Sequence, residues 1–181
     1  MLCKYFIWFI IYSFIGWIYE SAFCTIRARK WKNRGLLYGP VIPIYGIGAL
    51  GVSLLSVYLP KIALSDWKVF LICMAGSAAL EYFTSWVLEK LFHDRWWDYS
   101  RSPLNLNGRI CFPAAIGFGL AGLFVLRVIY PFVDYMTGRI PVVFLQAVTF
   151  VFLHGFMLDL LITVCTLLGF PYARKTRFIA R

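Results

Sequence analysis

Five ionisable side chains stand inside long apolar runs of this sequence: Glu20, Glu81, Glu89, His154 and Asp159. An ionised side chain at the bilayer centre costs about 2.5–3.5 kcal/mol on insertion scales, so such groups face protein or water. On a helix, residues four apart share a face, which aligns Glu81 with Ser85 and Gly155 with Asp159 and Thr163. Two chemistries fit the set. Arg34, Arg95, Arg101 and Arg109 could neutralise the acids as structural ion pairs. Alternatively, the acids line a polar pocket that faces the cytoplasm. His154 fits a core histidine bonded to a backbone carbonyl as well as it fits a ligand-binding group.

A second concentration of chemistry is the stretch "RWWDYSRSPLNLNGRI", residues 95 to 110. Trp96, Trp97 and Tyr99 suit an aromatic belt at headgroup depth. Asn107-Gly108 suits a tight turn. Neither accounts for Asp98, Asn105 and Arg109. Arginine, amide and indole groups together suit an anionic headgroup or a charged metabolite. The expectation is that Asp98 orients Arg109 and that Arg109 meets the anionic group.

The elements that position these residues follow from composition. Of 181 residues, 61% are hydrophobic and 14% charged, and aromatics reach 19%. Soluble domains carry about 25% charged residues. Five runs approach the length of about 20 residues that crosses a hydrocarbon core. They cover residues 5–26, 40–59, 67–92, 110–132 and 140–168. Continuous rather than alternating apolarity favours helices over a barrel. The expected fold is an all-α integral membrane protein, a bundle of about five transmembrane helices forming one domain over residues 1–181. The N-terminus resembles a signal peptide, but Glu20 interrupts the cleavage region, so an uncleaved first span is expected.

The net charge is +10. The cations sit in short loops beside spans, a pattern of topology and anionic-lipid contact rather than of nucleic-acid binding. Arg27, Arg29, Lys30, Lys32, Arg34, Lys90, Arg95, Arg101, Arg109, Arg174, Lys175, Arg177 and Arg181 fall on one side. Lys4, Lys61, Lys68 and Arg139 fall on the other. The bias places the N-terminus outside and the C-terminus in the cytoplasm of a multi-pass cell-membrane protein. Cys3, Cys24, Cys73, Cys111 and Cys165 are scattered without a C-x-x-C pair, which suggests neither a metal site nor a disulfide framework. No cofactor is expected.

Trp17-x-x-Glu20-x-x-Phe23 ends the first run, and Trp86-x-x-Glu89-x-x-Phe92 ends the third. Asn33-Arg34-Gly35 and Asn107-Gly108-Arg109 follow them. Each loop then leads to a run with proline and several glycines. A parallel repeat of two helical hairpins plus a fifth helix is one reading, and chance similarity among membrane hairpins is the other. If the repeat holds, Arg34 and Arg109 lie near Glu20 and Glu89 and enclose one pocket. Gly46, Gly48, Gly51, Gly117, Gly119 and Gly122 are expected to allow close helix approach. A less favoured use of this region is a broken helix whose freed amides bind an anion.

"GWIYE", "NRGLLYGPVIPIYG", and "EYFTSWVLEKLF" leading into the 95–110 stretch resemble the CmpB-like bacterial membrane family known as ABC-transporter type IV. Glu20, Asn33, Arg34, Gly35, Gly39, Pro40, Glu81, Glu89, Trp97, Asp98, Tyr99, Asn107, Gly108 and Arg109 match its motif positions. The resemblance implies a transporter permease. The chain carries no Walker A motif, so the implied role is the membrane half of such a system, with an ATPase subunit or a second copy as partner. Three function classes remain: a transport component for a small polar or anionic solute, a membrane enzyme acting on a lipid or isoprenoid headgroup, and a non-catalytic scaffold or sensor. The absence of HExxH, GxSxG and aspartate-rich motifs weighs against the enzyme.

Overall fold

The computed structural model describes residues 1–58 and 65–169. Leu59, Lys61 and the tail cations Arg174, Lys175, Arg177 and Arg181, which enter the span and orientation arguments, lie outside them. The elements in order are α1 (Leu2–Ala28), α2 (Pro43–Tyr58), α3 (Asp66–Phe92), β1 (Asn105–Leu106), β2 (Ile110–Cys111), α4 (Phe112–Phe124), α5 (Tyr130–Gly138) and α6 (Val142–Leu167). A π-helical stretch, Val125–Ile129, joins α4 to α5. Pro131 explains the widening. It has no N–H to give to the preceding turn and its ring crowds the carbonyl there, while the Tyr130 N–H reaches back to the Val125 carbonyl.

Among the described residues, Leu2–Ala28, Asp66–Phe92, Phe112–Gly138 and Val142–Leu167 are long and apolar enough to cross a membrane. The protein is therefore an all-α, multi-pass membrane protein. Large apolar side chains such as Phe83, Phe150, Val151 and Leu161 are exposed, which suits solvation by acyl chains. α2 differs from expectation. It starts at Pro43 rather than Pro40 and has 16 residues, a rise of about 24 Å against a core of about 30 Å. The preceding residues, 31–42, are not helical.

The chain divides into two compact units. One comprises Met1–Gly46 and Ile140–Arg181, the other Ile47–Arg139. In the first, α1 packs on α6, with Phe9 edge-on to Phe156 at 5.5 Å and Trp8 fully buried. In the second, α3 packs on α4 around buried Val69 and Cys73. α1 and α3 end alike: Arg29 and His93 both adopt the left-handed conformation, at φ 51° and 55°, and their N–H groups close the last turn.

The glycines divide by role. A Cβ on Gly46 would lie 2.7 Å from the Phe9 ring, and one on Gly119 would lie 2.6 Å from Phe70. A Cβ on Gly122 would meet Cys73. Gly51 and Gly117 face open space, and a Cβ on Gly48 would make only an ordinary contact with Leu80. The small-residue expectation thus holds for Gly46, Gly119 and Gly122 and fails for the other three. Gly119→Val should lower stability by about 1–3 kcal/mol through overpacking, whereas Gly117→Val should be near neutral. Thermal unfolding of both variants in detergent checks the contrast.

Candidate functional site

In the second unit the 95–110 stretch is a braced hairpin. β1 and β2 pair antiparallel, Leu106 opposite Ile110. Asn107 and Gly108 between them have φ of 55° and 68°, and the Arg109 N–H bonds the Leu106 carbonyl at 3.0 Å. This is the Asn-Gly turn whose twist matches paired strands. A Cβ at Gly108 would lie 2.7 Å from Asp98 Oδ1, so the turn requires glycine on two counts. The Asn105 side chain donates to the Ser102 carbonyl and accepts from the Gly108 N–H. The Tyr99 N–H donates to the Gly108 carbonyl at 2.7 Å. Trp97 Nε1 donates to the Arg109 carbonyl at 2.9 Å, so this ring braces the hairpin.

The turn delivers Arg109 to α3. Its guanidinium pairs with Glu89, donates to Ser85 Oγ at 3.1 Å and lies over the Tyr82 ring. Arg109 is only 8% exposed. Arg95 donates to the other oxygen of Glu89 at 3.0 Å and to the Asn107 carbonyl at 3.3 Å. Two guanidiniums therefore share one carboxylate. Two turns deeper, buried Glu81 accepts from the Tyr99 hydroxyl at 3.3 Å. Glu81, Ser85 and Glu89 form one polar stripe at i, i+4 spacing, and the hairpin is laid along it.

Asp98 does not orient Arg109, contrary to expectation. Its Oδ1 accepts from the Ser100 N–H at 2.9 Å and from the Ser100 hydroxyl. These bonds, the hydroxyl's first, hold the Asp98 carboxyl below the usual carboxylate range. The residue is exposed and closes a local turn. The orienting groups for Arg109 are Glu89 and Ser85.

The first unit uses the same device with different partners. Trp17, Ser21 and Thr25 repeat at i+4 spacing on α1. Trp17 Nε1 donates to Asn33 Oδ1 at 2.7 Å, Ser21 Oγ accepts from the Arg34 N–H at 3.3 Å, and Thr25 Oγ1 accepts from the Lys32 N–H at 3.0 Å. Gly35, at φ 135°, then turns the chain along α1. Arg34 pairs with Glu20 at 3.8 Å, and Tyr45 donates to the other Glu20 oxygen at 2.8 Å. Further along, Asp159 on α6 accepts from the Tyr38 and Gly39 N–H groups at 3.0 and 2.8 Å, and from Thr163 at 3.3 Å. The Ile42 N–H bonds the Ser13 carbonyl at 3.0 Å.

Each hairpin therefore pairs the glutamate of its Trp-x-x-Glu-x-x-Phe motif with the arginine of its Asn/Gly/Arg loop, Glu20 with Arg34 and Glu89 with Arg109. Arg101 forms no ion pair among the described residues. His154 is exposed, and its Nδ1 lies 2.8 Å from the Phe150 carbonyl with the two rings 4.0 Å apart. Its bond is to its own helix, and Gly155 meets nothing that a Cβ would touch. Sequence reasoning missed Ser21, Tyr45 and Tyr82 as partners. The i+4 recurrence of Trp17, Ser21 and Thr25 was the available signal for Ser21. Tyr45 and Tyr82 carried none, because a tyrosine in an apolar run reads as packing.

No curated protein and no solved structure was found to match the chain. The two braced loops and their glutamates lie within residues 7–164, the stretch matched by the family model described as "Putative ABC-transporter type IV", and the chain belongs to that family.

Proposed function

We propose that this protein is the membrane-embedded component of a transporter and binds a small anionic or polar solute, or the headgroup of a lipid, on its cytoplasmic side. The observation that carries the reading is that Arg95 and Arg109 share the single carboxylate of Glu89. One guanidinium charge in that cluster is left for an anionic ligand, and planar arginine suits phosphate or carboxylate. The family description and the lack of a nucleotide-binding motif support an ATPase partner. The basic bias of the loops supports an outside N-terminus, with the connections at residues 27–39 and 93–109 entered from the cytoplasmic side.

The test uses the full chain in lipid nanodiscs. At fixed ionic strength, inorganic phosphate should raise the thermal midpoint more than chloride does. Arg95→Gln should remove that difference, because Arg95 is the exposed member of the pair. Equal stabilisation by both anions would mean screening alone and would sink the solute-binding reading. Cysteines placed at Lys32 and Ser102 should escape an impermeant label in intact cells, while one at Ser65 should react. Outside labelling at Ser102 would reverse the orientation.

A further inference from the structure

The chain that leads into α2, residues 35–42, is not helical, and its depth can be read against α1. The Arg34 N–H meets Ser21 and the Ile42 N–H meets Ser13. Counted from Ala28, the end of α1, these levels are about 10 Å and about 22 Å along the helix. α1 has 27 residues, about 40 Å of rise, against a hydrocarbon core of about 30 Å. Even if all the surplus stands on this side, the chain between Arg34 and Ile42 lies inside the core. Pro40 and Pro43 oppose helix here. Pro40 sits at the centre of a three-residue turn closed by the Val41 N–H on the Gly39 carbonyl at 2.9 Å.

Irregular backbone at this depth is tolerated only where protein or water satisfies it. Part of the segment is satisfied by protein, through Ser21, Asp159, Gly39 and Ser13. The rest is not. The N–H and C=O of Leu36, and the C=O groups of Tyr38 and Pro40, bond to no described residue. Tyr38 and Pro40 are also exposed. Acyl chains cannot solvate these groups, at a cost of several kcal/mol for each. Polar side chains accompany them: Glu20, Arg34 and Asp159 are only partly buried, and the Tyr38 hydroxyl reaches Thr166 at 3.3 Å.

We propose that Leu36–Pro40 is a non-helical stretch of the second membrane crossing lining a water-filled vestibule, which opens to the cytoplasm and carries small hydrophilic solutes to the level of Asp159. The vestibule lies within the first unit. Its opening side rests on the orientation proposed above; its water content does not.

Substituted cysteines test it. Cys3, Cys24, Cys73, Cys111 and Cys165 are first replaced by alanine, and then Leu36→Cys, Pro40→Cys and the control Phe14→Cys are made singly. Phe14 is 42% exposed on α1, at the depth of Ser13. The probe is MTSES, an impermeant anionic thiol reagent, which needs a hydrated thiolate. In inside-out vesicles, Leu36→Cys and Pro40→Cys should react at least about tenfold faster than Phe14→Cys, because the control thiol faces acyl chains. Reaction only from the opposite face would reverse the orientation and leave the vestibule standing. No reaction from either face, with full labelling after denaturation, would overturn the vestibule. Should the cysteine-free background fail to fold, hydrogen exchange on the unmodified chain in nanodiscs decides the matter. The Leu36 amide should exchange as fast as an exposed loop amide, and protection comparable to that of α1 amides would overturn the proposal.

Discussion

Arg109→Ala should lower the stability of the protein by about 3 kcal/mol, the low side of what breaking a buried ion pair costs. The low side applies because Glu89 is 32% exposed at its side chain against 10% for Arg109, and because Glu89 keeps Arg95. The substitution also empties the space over Tyr82 and leaves Ser85 Oγ without its donor. Arg109→Lys should recover less than half of the loss. A lysine ammonium is a point charge and cannot bond Ser85 and Glu89 as a planar fork does. A double-mutant cycle in detergent separates the partners. Arg109 with Glu89 should show a coupling above about 1 kcal/mol, and Arg109 with Asp98 a coupling near zero. A larger coupling to Asp98 than to Glu89 would mean that the arginine is oriented otherwise than described here.

The second large effect is expected at Asp159. Its two oxygens take the amides of Tyr38 and Gly39 and the hydroxyl of Thr163. Asp159→Ala frees both amides at once. Tyr38 is exposed and Gly39 only partly buried, so water takes up the freed amides. The loss is that of two hydrogen bonds to a charged group, each at most about 1.5–3 kcal/mol, or about 2–4 kcal/mol in all. Asp159→Asn should lose less, since one oxygen still accepts while the new NH2 opposes an amide donor. Hydrogen exchange at Tyr38 and Gly39 should accelerate by about a hundredfold in the alanine variant, the factor that about 2.7 kcal/mol of lost protection gives. Unchanged exchange would mean that the carboxylate does not hold the loop. Gly39 belongs to the same device: a Cβ there would lie 2.8 Å from Asp159 Oδ2.

Much of this architecture was legible in the residues. Apolar run length marked α1, α3 and α6 to within three residues, because a bilayer imposes one requirement over some twenty consecutive positions. It marked the start of the fourth span but not its end, which runs on through the π-helical stretch to Gly138. The chemistry of Asn107-Gly108 marked the turn, since two adjacent positive φ values admit few other residues. The paired Trp-x-x-Glu-x-x-Phe segments and their Asn/Gly/Arg loops pointed to two glutamate–arginine pairs, and both pairs formed. Family membership was likewise visible in the loop motifs.

The remainder depended on contacts between residues far apart in sequence. Pro40 to Leu59 read as one span because hydropathy averages over a window and does not register that backbone hydrogen bonds have gone elsewhere. The shortfall of α2 became visible only once Ser13, Ser21 and Asp159 were seen taking the amides of the preceding segment. The partner of Arg109 could not be chosen from sequence either. Asp98 is the nearer acid along the chain, but the turn at Asn107-Gly108 aims the arginine at α3, where Glu89 and Ser85 stand one turn apart, while Ser100 occupies Asp98. Local residue chemistry determined the helices, the turn and which groups carry charge, since each of those depends on a few neighbouring dihedrals or on the solvent. Which charge meets which was decided by the fold, because that depends on where the returning chain lies against the helix it follows.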